Sequence, residues 1–170
     1  VENLLNWSRS QTGRLSFRPQ EQNIYEIARE AVDNLRSQAE EKNITIINNI
    51  EPSLLLSVDK NSISAVFRNL ISNAIKFTPN GGQVKLDSDI LKTLVMFTVE
   101  DTGVGIDSEN IPKLFSLESN FKKQGTANEK GSGLGLILCK EFIENHDGTI
   151  DVESMPGEGS KFSFSLPINP

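Results

Sequence analysis

The chain has 170 residues, 36% of them hydrophobic and 24% charged, with a net charge of −6. That length allows one domain with a real core and is short for two, and the acidic balance argues against a nucleic-acid face, which wants a basic stripe. The single cysteine, Cys139, excludes an internal disulfide, and the single histidine, His146, leaves no Cys/His cluster for structural zinc.

In chain order, "VENLLNWSRSQT" reads as the end of a helix stopped near Gly13, with Val1, Leu4, Leu5 and Trp7 left without partners. "RLSFRPQ" reads as a short strand, and residues 23–42 carry helical spacing through Ile24, Ile27, Ala31 and Leu35. "ITIINNI" and "LLLSVD" read as strands, and residues 60–77 as a second helix ending before Pro79 and the Asn80-Gly81-Gly82 turn. "QVKLDSDI" and "TLVMFTVED" read as paired strands. A long polar segment from about 107 to 130 leads to a glycine-rich turn, a third helix to about residue 145, and the strands "GTIDVES" and "SKFSFSLP". This order predicts an α+β domain, a two-layer sandwich with about three helices on one face of a mixed, mostly antiparallel sheet. The longest apolar runs fall far short of the roughly 20 residues of a membrane helix. No signal peptide precedes the first element, and the chain opens on Val1 rather than Met. The expectation is a piece of a longer protein, located in the cytoplasm, with no membrane contact of its own.

Three stretches carry candidate chemistry. On the helix of residues 60–77, a step of about 100° per residue puts Ile63, Val66, Phe67, Leu70, Ala74 and Phe77 on one face. Asn69, Asn73 and Lys76 form a polar stripe on its flank. Such a stripe is either solvated decoration, with Lys76 suited to the helix C-terminus, or a pocket edge offering amide oxygens and an ammonium to magnesium and phosphate. "VEDTGVGI" ends a strand at Asp101 and follows it with Gly103 and Gly105, which free the backbone to turn tightly. Asp101 is either a turn-stabilising residue or a buried carboxylate accepting from a base's exocyclic amine, a donor that adenine has and guanine lacks at that ring position. Asp-Thr-Gly is also the tripeptide of aspartic proteases, but those need two carboxylates and an almost wholly β fold. The third stretch, "GSGLGL", fits a dinucleotide fingerprint at Gly131 and Gly133 but has Leu136 at the sixth place, and it reverses the Gly-Lys order of a P-loop.

Taken in order, these motifs resemble the ATP-binding catalytic domain of sensor histidine kinases, in the GHKL superfamily with DNA gyrase, Hsp-type chaperone ATPases and mismatch-repair MutL proteins. "NLISNAIKFT" is similar to its N box, "DTGVGI" to its G1 box, "IPKLF" to its F box and "GSGLGL" to its G2 box, over about residues 20–168. The resemblance implies the Bergerat ATP-binding fold for residues 17–170, with an ATP lid at about 107–132. Residues 1–16 would then close the second helix of a dimerisation hairpin whose acceptor histidine lies upstream. It implies Asn73 as the magnesium ligand, Asn69 supporting metal and phosphates, and Lys76 reaching the phosphates. Phe77 would border the nucleotide, and Asp101 would take the adenine amine, with Gly103, Gly105 and Ile106 beside it. Phe115 would act as the lid's latch, and Gly131, Ser132, Gly133, Leu134, Gly135 and Leu136 would lie against the phosphates. Ser160 would sit near Asp101.

Hydrolysing members of the superfamily carry a glutamate one turn before the magnesium asparagine; the residue here is Asn69, which cannot act as a base. The resemblance therefore implies a histidine kinase that uses Mg-ATP to phosphorylate a histidine on its own dimerisation domain. The longer protein would be a homodimer, and a response regulator receiver domain would take the phosphoryl group. His146, in "ENHDGTI" rather than beside the acidic residue of an acceptor motif, reads as a structural residue at a helix end. The alternatives are a nucleotide-binding module without kinase activity and a serine kinase of the anti-sigma type. The F box departs from the family pattern, and which of Lys122, Lys123 and Lys130 faces phosphate stays open.

Overall fold

The computed structural model describes residues 16–117, 123–129 and 133–168. The readings made for residues 1–15, for Phe121, Lys122 and Lys130, and for Gly131 and Ser132 lie outside them.

Two long helices are fixed at their N-termini by side-chain caps. Helix α1 (Ile24–Glu41) starts where Asn23 Oδ1 accepts from the Glu26 N–H at 3.0 Å, and it buries Ile24, Ile27, Ala28, Ala31, Val32, Leu35 and Ala39. Helix α2 (Lys60–Phe77) starts where Asp59 Oδ1 accepts from the Ser62 N–H. It ends at Thr78, whose hydroxyl turns back to donate to Ala74 O at 2.6 Å, one residue before Pro79 blocks continuation. The third helix, α3 (Gly135–Asn145), is shorter and buries Leu138, Cys139, Phe142 and Ile143.

Among the described residues seven strands form two sheets: β1 (Gln20–Asn23), β2 (Thr45–Asn49), β3 (Leu55–Val58), β4 (Gln83–Ile90), β5 (Leu94–Asp101), β6 (Ile150–Met155) and β7 (Gly159–Pro167). Strands β1 and β3 pair antiparallel as a separate ribbon. The main sheet runs β2-β4-β5-β7-β6, with β2 parallel to β4 and every other pair antiparallel. This is the two-layer α+β sandwich expected from the element order.

The early strand read from "RLSFRPQ" is corrected: among the described residues, 16–19 are not strand, and pairing begins only at Gln20. Pro19 has no N–H to give a ladder. Between the helices and the main sheet lies the core, centred on Phe67 of α2, Phe97 of β5 and Phe164 of β7. Phe67 meets the other two edge-on at 6.0 and 5.4 Å, and Phe97 stacks on Phe164 at 5.1 Å.

Candidate functional site

Alternation along β5 places the first candidate. Val95, Phe97 and Val99 point into the core, and the same period carries Asp101 inward at the strand's last residue. Its carboxylate is therefore buried, 6% exposed. Oδ1 accepts from the Gly103 N–H at 2.8 Å and from the Ser160 N–H at 3.3 Å, across the register Asp101↔Ser160. Burial pushes the carboxyl up to about 6, against the pull of those two donors.

The loop after Asp101 is packed on α2 and on the β6–β7 hairpin. Val104 N–H donates to Phe77 O at 3.0 Å, and Ile106 N–H to Ser154 Oγ at 2.8 Å. Ser154 Oγ is hydrogen-bonded to Ser160 Oγ, and Gly157 N–H reaches Val104 O. A Cβ on Gly103 would stand 2.5 Å from Phe77 O and 2.6 Å from Asp101 Oδ1. Gly105, at φ +73°, would drive a Cβ into Met155 O. Both glycines are thus required by the protein's own close contacts around Asp101.

Asn69, Asn73 and Lys76 are half-buried, the flank position their spacing predicts, and Phe77, which the same spacing put on the apolar face, is half-buried as well. Phe77, the last residue of α2, thus stands at the edge of the core rather than within it, and the loop after Asp101 bonds its carbonyl. Lys76 Nζ lies 4.9 Å above the Phe77 ring. Desolvation lowers its pKa from the ordinary lysine value, opposed by Glu129. Asn69 lies within hydrogen-bonding reach of the Cys139 thiol, whose pKa burial pushes up to about 12.

Helix α3 runs antiparallel to α2. His146 at its end faces Asp59, and Cys139 meets Val66 and Asn69 midway. The start of α3 therefore lies toward the C-terminal half of α2. Among the described residues no side chain caps α3, and none in its first turn is acidic. Its first N–H groups and its dipole consequently favour an anion there. Gly133 sits at φ +74° just before it, followed by half-buried Leu134, Gly135 and Leu136.

Phe115 is the candidate that stands apart. With Ile111, Leu117, Ile137 and Val152 it lines a groove of about 630 Å³ between a 3-10 turn (Ile111–Lys113), α3 and β6. None of the asparagines, Lys76 or Asp101 lines that groove.

Lys42 and Glu129 enter the site unannounced by any motif. Lys42, just past α1, donates to Ile75 O and Lys76 O at the end of α2 and pairs with Glu129 at 3.0 Å. Thr126 N–H also donates to Lys76 O at 3.0 Å, so residues 125–129 are docked on α2 beside Lys76. Lys123 Nζ reaches Gly105 O at 3.3 Å from the same segment.

Residues 58–170 match the family model described as histidine kinase-, DNA gyrase B- and HSP90-like ATPase. The chain is 31% identical to the non-motile and phage-resistance protein of Caulobacter vibrioides and 31% identical to sensor histidine kinase TmoS of Ectopseudomonas mendocina. Each match covers 99% of this chain but only 20% and 18% of the relative, so the chain spans about a fifth of their length. Among solved structures, the catalytic domain of histidine kinase ThkA superposes with a TM-score of 0.78 at 31% identity, over 92% of this chain and 100% of that one. The same kinase in complex with response regulator protein TrrA gives 0.75 at 27% identity, over 98% of this chain and 49% of that one. No helix among the described residues is long and apolar enough to cross a membrane.

Proposed function

Because the chain belongs to the family of histidine kinase-, DNA gyrase B- and HSP90-like ATPases, we propose that it is the ATP-binding catalytic domain of a sensor histidine kinase. The observation that carries this is Asp101, a buried carboxylate with Oδ1 committed to two backbone N–H groups. Its second oxygen is left to read a base, and an exocyclic amine donates to a carboxylate where a keto oxygen would be repelled. ATP is thus the preferred nucleotide over GTP. Phe77 borders the base, Gly105 and Ile106 continue its wall, and Ser160 buttresses Asp101 through its N–H.

The phosphate end lies between the flank of α2 and the start of α3. Lys76 supplies an ammonium, Gly133 and Leu134 lead the N–H groups of Gly135 and Leu136 to the oxygens, and Gly131 and Ser132 bind the phosphates with them. The described residues hold no group of three His, Cys, Asp or Glu that could bind a metal. A cation here rests on amide oxygen, phosphate and water, a ligand set that magnesium accepts. Asn73 is the ligand and Asn69 its support; when bound, magnesium neutralises charge on the phosphates during transfer.

In the transfer, an imidazole nitrogen attacks the γ-phosphorus as the bond to the β-phosphate oxygen breaks, and ADP leaves. This chain contributes positioning and charge; Asn69, an amide, offers no base to activate water. The acceptor histidine belongs to a dimerisation domain of the longer protein, which acts as a homodimer. A response regulator receiver domain takes the phosphoryl group onward, as the complex of ThkA with TrrA supports. Residues 107–117 and 123–129 belong to the lid over the nucleotide, and Phe115, in its groove against α3 and β6, is the latch of that lid. The site faces the cytoplasm.

The test is calorimetric titration of the chain with AMP-PNP and with the matching GTP analogue, each with magnesium and with EDTA. The expected result is a micromolar dissociation constant for AMP-PNP, roughly −6 to −8 kcal/mol, weakened by EDTA, and far poorer binding of the GTP analogue. Folded chain that binds neither overturns the proposal.

A further inference from the structure

Lys42 is the C-cap residue of α1, a place where a lysine ordinarily reaches water, yet its side chain is only 12% exposed. Its ammonium crosses to the end of α2. There it donates to Ile75 O at 2.8 Å, Lys76 O at 3.1 Å, Thr126 Oγ1 at 2.6 Å and Glu129 Oε1 at 3.0 Å. The two carbonyls belong to the last turn of α2, where Ile75 O also accepts the Thr78 N–H at 3.4 Å and Lys76 O the Thr126 N–H at 3.0 Å. One cation therefore ties three separate pieces of chain at the point from which Lys76 projects.

Glu129 stands between two lysines. A Cβ on Gly125 would overlap Glu129 Oε2 and lie 2.6 Å from Lys76 Cγ, so the carboxylate and the Lys76 stem border the same spot. Lys42 takes Oε1, and the Ala127 N–H donates to Oε2 at 2.8 Å. A bound polyphosphate and the Glu129 carboxylate are rivals for the Lys76 ammonium. With Lys42 in place, Glu129 has a cation of its own; without it, Lys76 is the cation beside a freed carboxylate.

We propose that Lys42 is a positioning residue for the phosphate end of the nucleotide site, fixing the last turn of α2 and withholding Glu129 from Lys76. This rests on the reading of the site as an ATP site. It adds a residue that no motif contains and predicts a sign: the damage done by losing Lys42 is relieved by also losing the charge of Glu129.

The experiment measures AMP-PNP and adenosine binding by chemical-shift titration on the wild-type chain, Lys42→Met, Glu129→Gln and the double variant. Lys42→Met is expected to weaken AMP-PNP about tenfold, within the span of couplings between neighbouring sites, and to leave adenosine within about twofold. Glu129→Gln is expected to bind AMP-PNP as the wild type does or more tightly, and the double variant to recover most of the loss. Equal weakening of both ligands by Lys42→Met, or a double variant as weak as the single, overturns the proposal. If Lys42→Met does not fold, Glu129→Gln still decides: the proposal fails if it weakens AMP-PNP. Wild-type chain that binds neither ligand overturns the ATP reading itself, an outcome distinct from any pattern among the variants.

Discussion

The backbone N–H of Asp59 donates to Nε2 of His146 across 3.0 Å, so the residue that caps the start of α2 also clamps the end of α3. The other ring nitrogen, Nδ1, lies 2.7 Å from Phe142 O. Because Nε2 accepts, Nδ1 carries the proton. Phe17 closes over the ring edge-on at 4.8 Å, and the imidazole is 5% exposed. Burial raises the Asp59 carboxyl, but the Ser62 and Arg18 N–H donors outweigh it and hold it below the usual range. A buried imidazole with both nitrogens engaged is a rivet between helices and offers no free nucleophile.

His146→Ala removes the ring and orphans the Asp59 N–H in a buried place. Stability is expected to fall by about 2–4 kcal/mol, read as a lower urea midpoint with an unchanged slope. AMP-PNP affinity of the folded variant should match the wild type. A midpoint shift of under about 0.5 kcal/mol would mean the rivet is idle.

Gly105 and Gly157 share a left-handed backbone, at φ +73° and +80°, but differ in what surrounds them. A Cβ on Gly157 meets nothing within 4 Å, whereas one on Gly105 overlaps Met155 O. Gly157→Ala is expected to cost only the conformational term, about 1–2 kcal/mol. Gly105→Ala should cost distinctly more, because the β6–β7 hairpin must move away from the loop behind Asp101. Thermal unfolding of the two variants side by side checks this. Equal losses would refute the clash.

Local pattern was enough to read α2, whose bounds match the expected 60–77, and the β4–β5 pair, because apolar periodicity and the Thr78-Pro79 stop are written in neighbouring residues. The polar flank of Asn69, Asn73 and Lys76 was legible for the same reason. The apolar arc of α2 is broader than one stripe, since Ala65, Ile71 and Ile75 are also buried. The sheet accounts for one face and α1 and α3 for the others, and no single helix announces its neighbours. The parallel β2–β4 pairing, the separate β1–β3 ribbon and the Lys42–Glu129 tie join residues 32 to 87 positions apart. Such contacts leave no local signature, and a lysine after a helix reads as solvated until its acceptors are in view.

Asn73 is half-buried on the flank of α2, so replacing it with Ala removes an amide oxygen without emptying core, and Ala is the better helix former by about 0.5 kcal/mol. Asn73→Ala should therefore keep its unfolding midpoint while AMP-PNP affinity in magnesium falls at least about tenfold. In EDTA the variant and the wild type should bind alike, because the lost group acts through the metal. A variant equally impaired with and without magnesium would show that Asn73 touches the nucleotide directly.

Asp101 combines stability and binding in one carboxylate with opposite signs. Its pKa stands at about 6 in the fold against an ordinary 3.8, with burial the leading cause. An acid raised in this way favours the fold most below its unfolded value, and that contribution drains away as pH rises through the folded value. The nucleotide-free chain is thus expected to lose up to about 3 kcal/mol from this group between pH 4 and pH 7. Asp101→Asn keeps an oxygen to accept from the Gly103 and Ser160 N–H groups but carries no charge. Above pH 7 it should be more stable than the wild type by about 1–3 kcal/mol and should bind AMP-PNP barely at all, since its amide presents N–H to the adenine amine. In the wild type, affinity should weaken as pH drops below 6, and binding at pH 6 should release protons, seen as a dependence of the calorimetric heat on the buffer's ionisation enthalpy. An Asp101→Asn chain less stable than the wild type at pH 8 would mean that the carboxylate is better solvated than its burial implies.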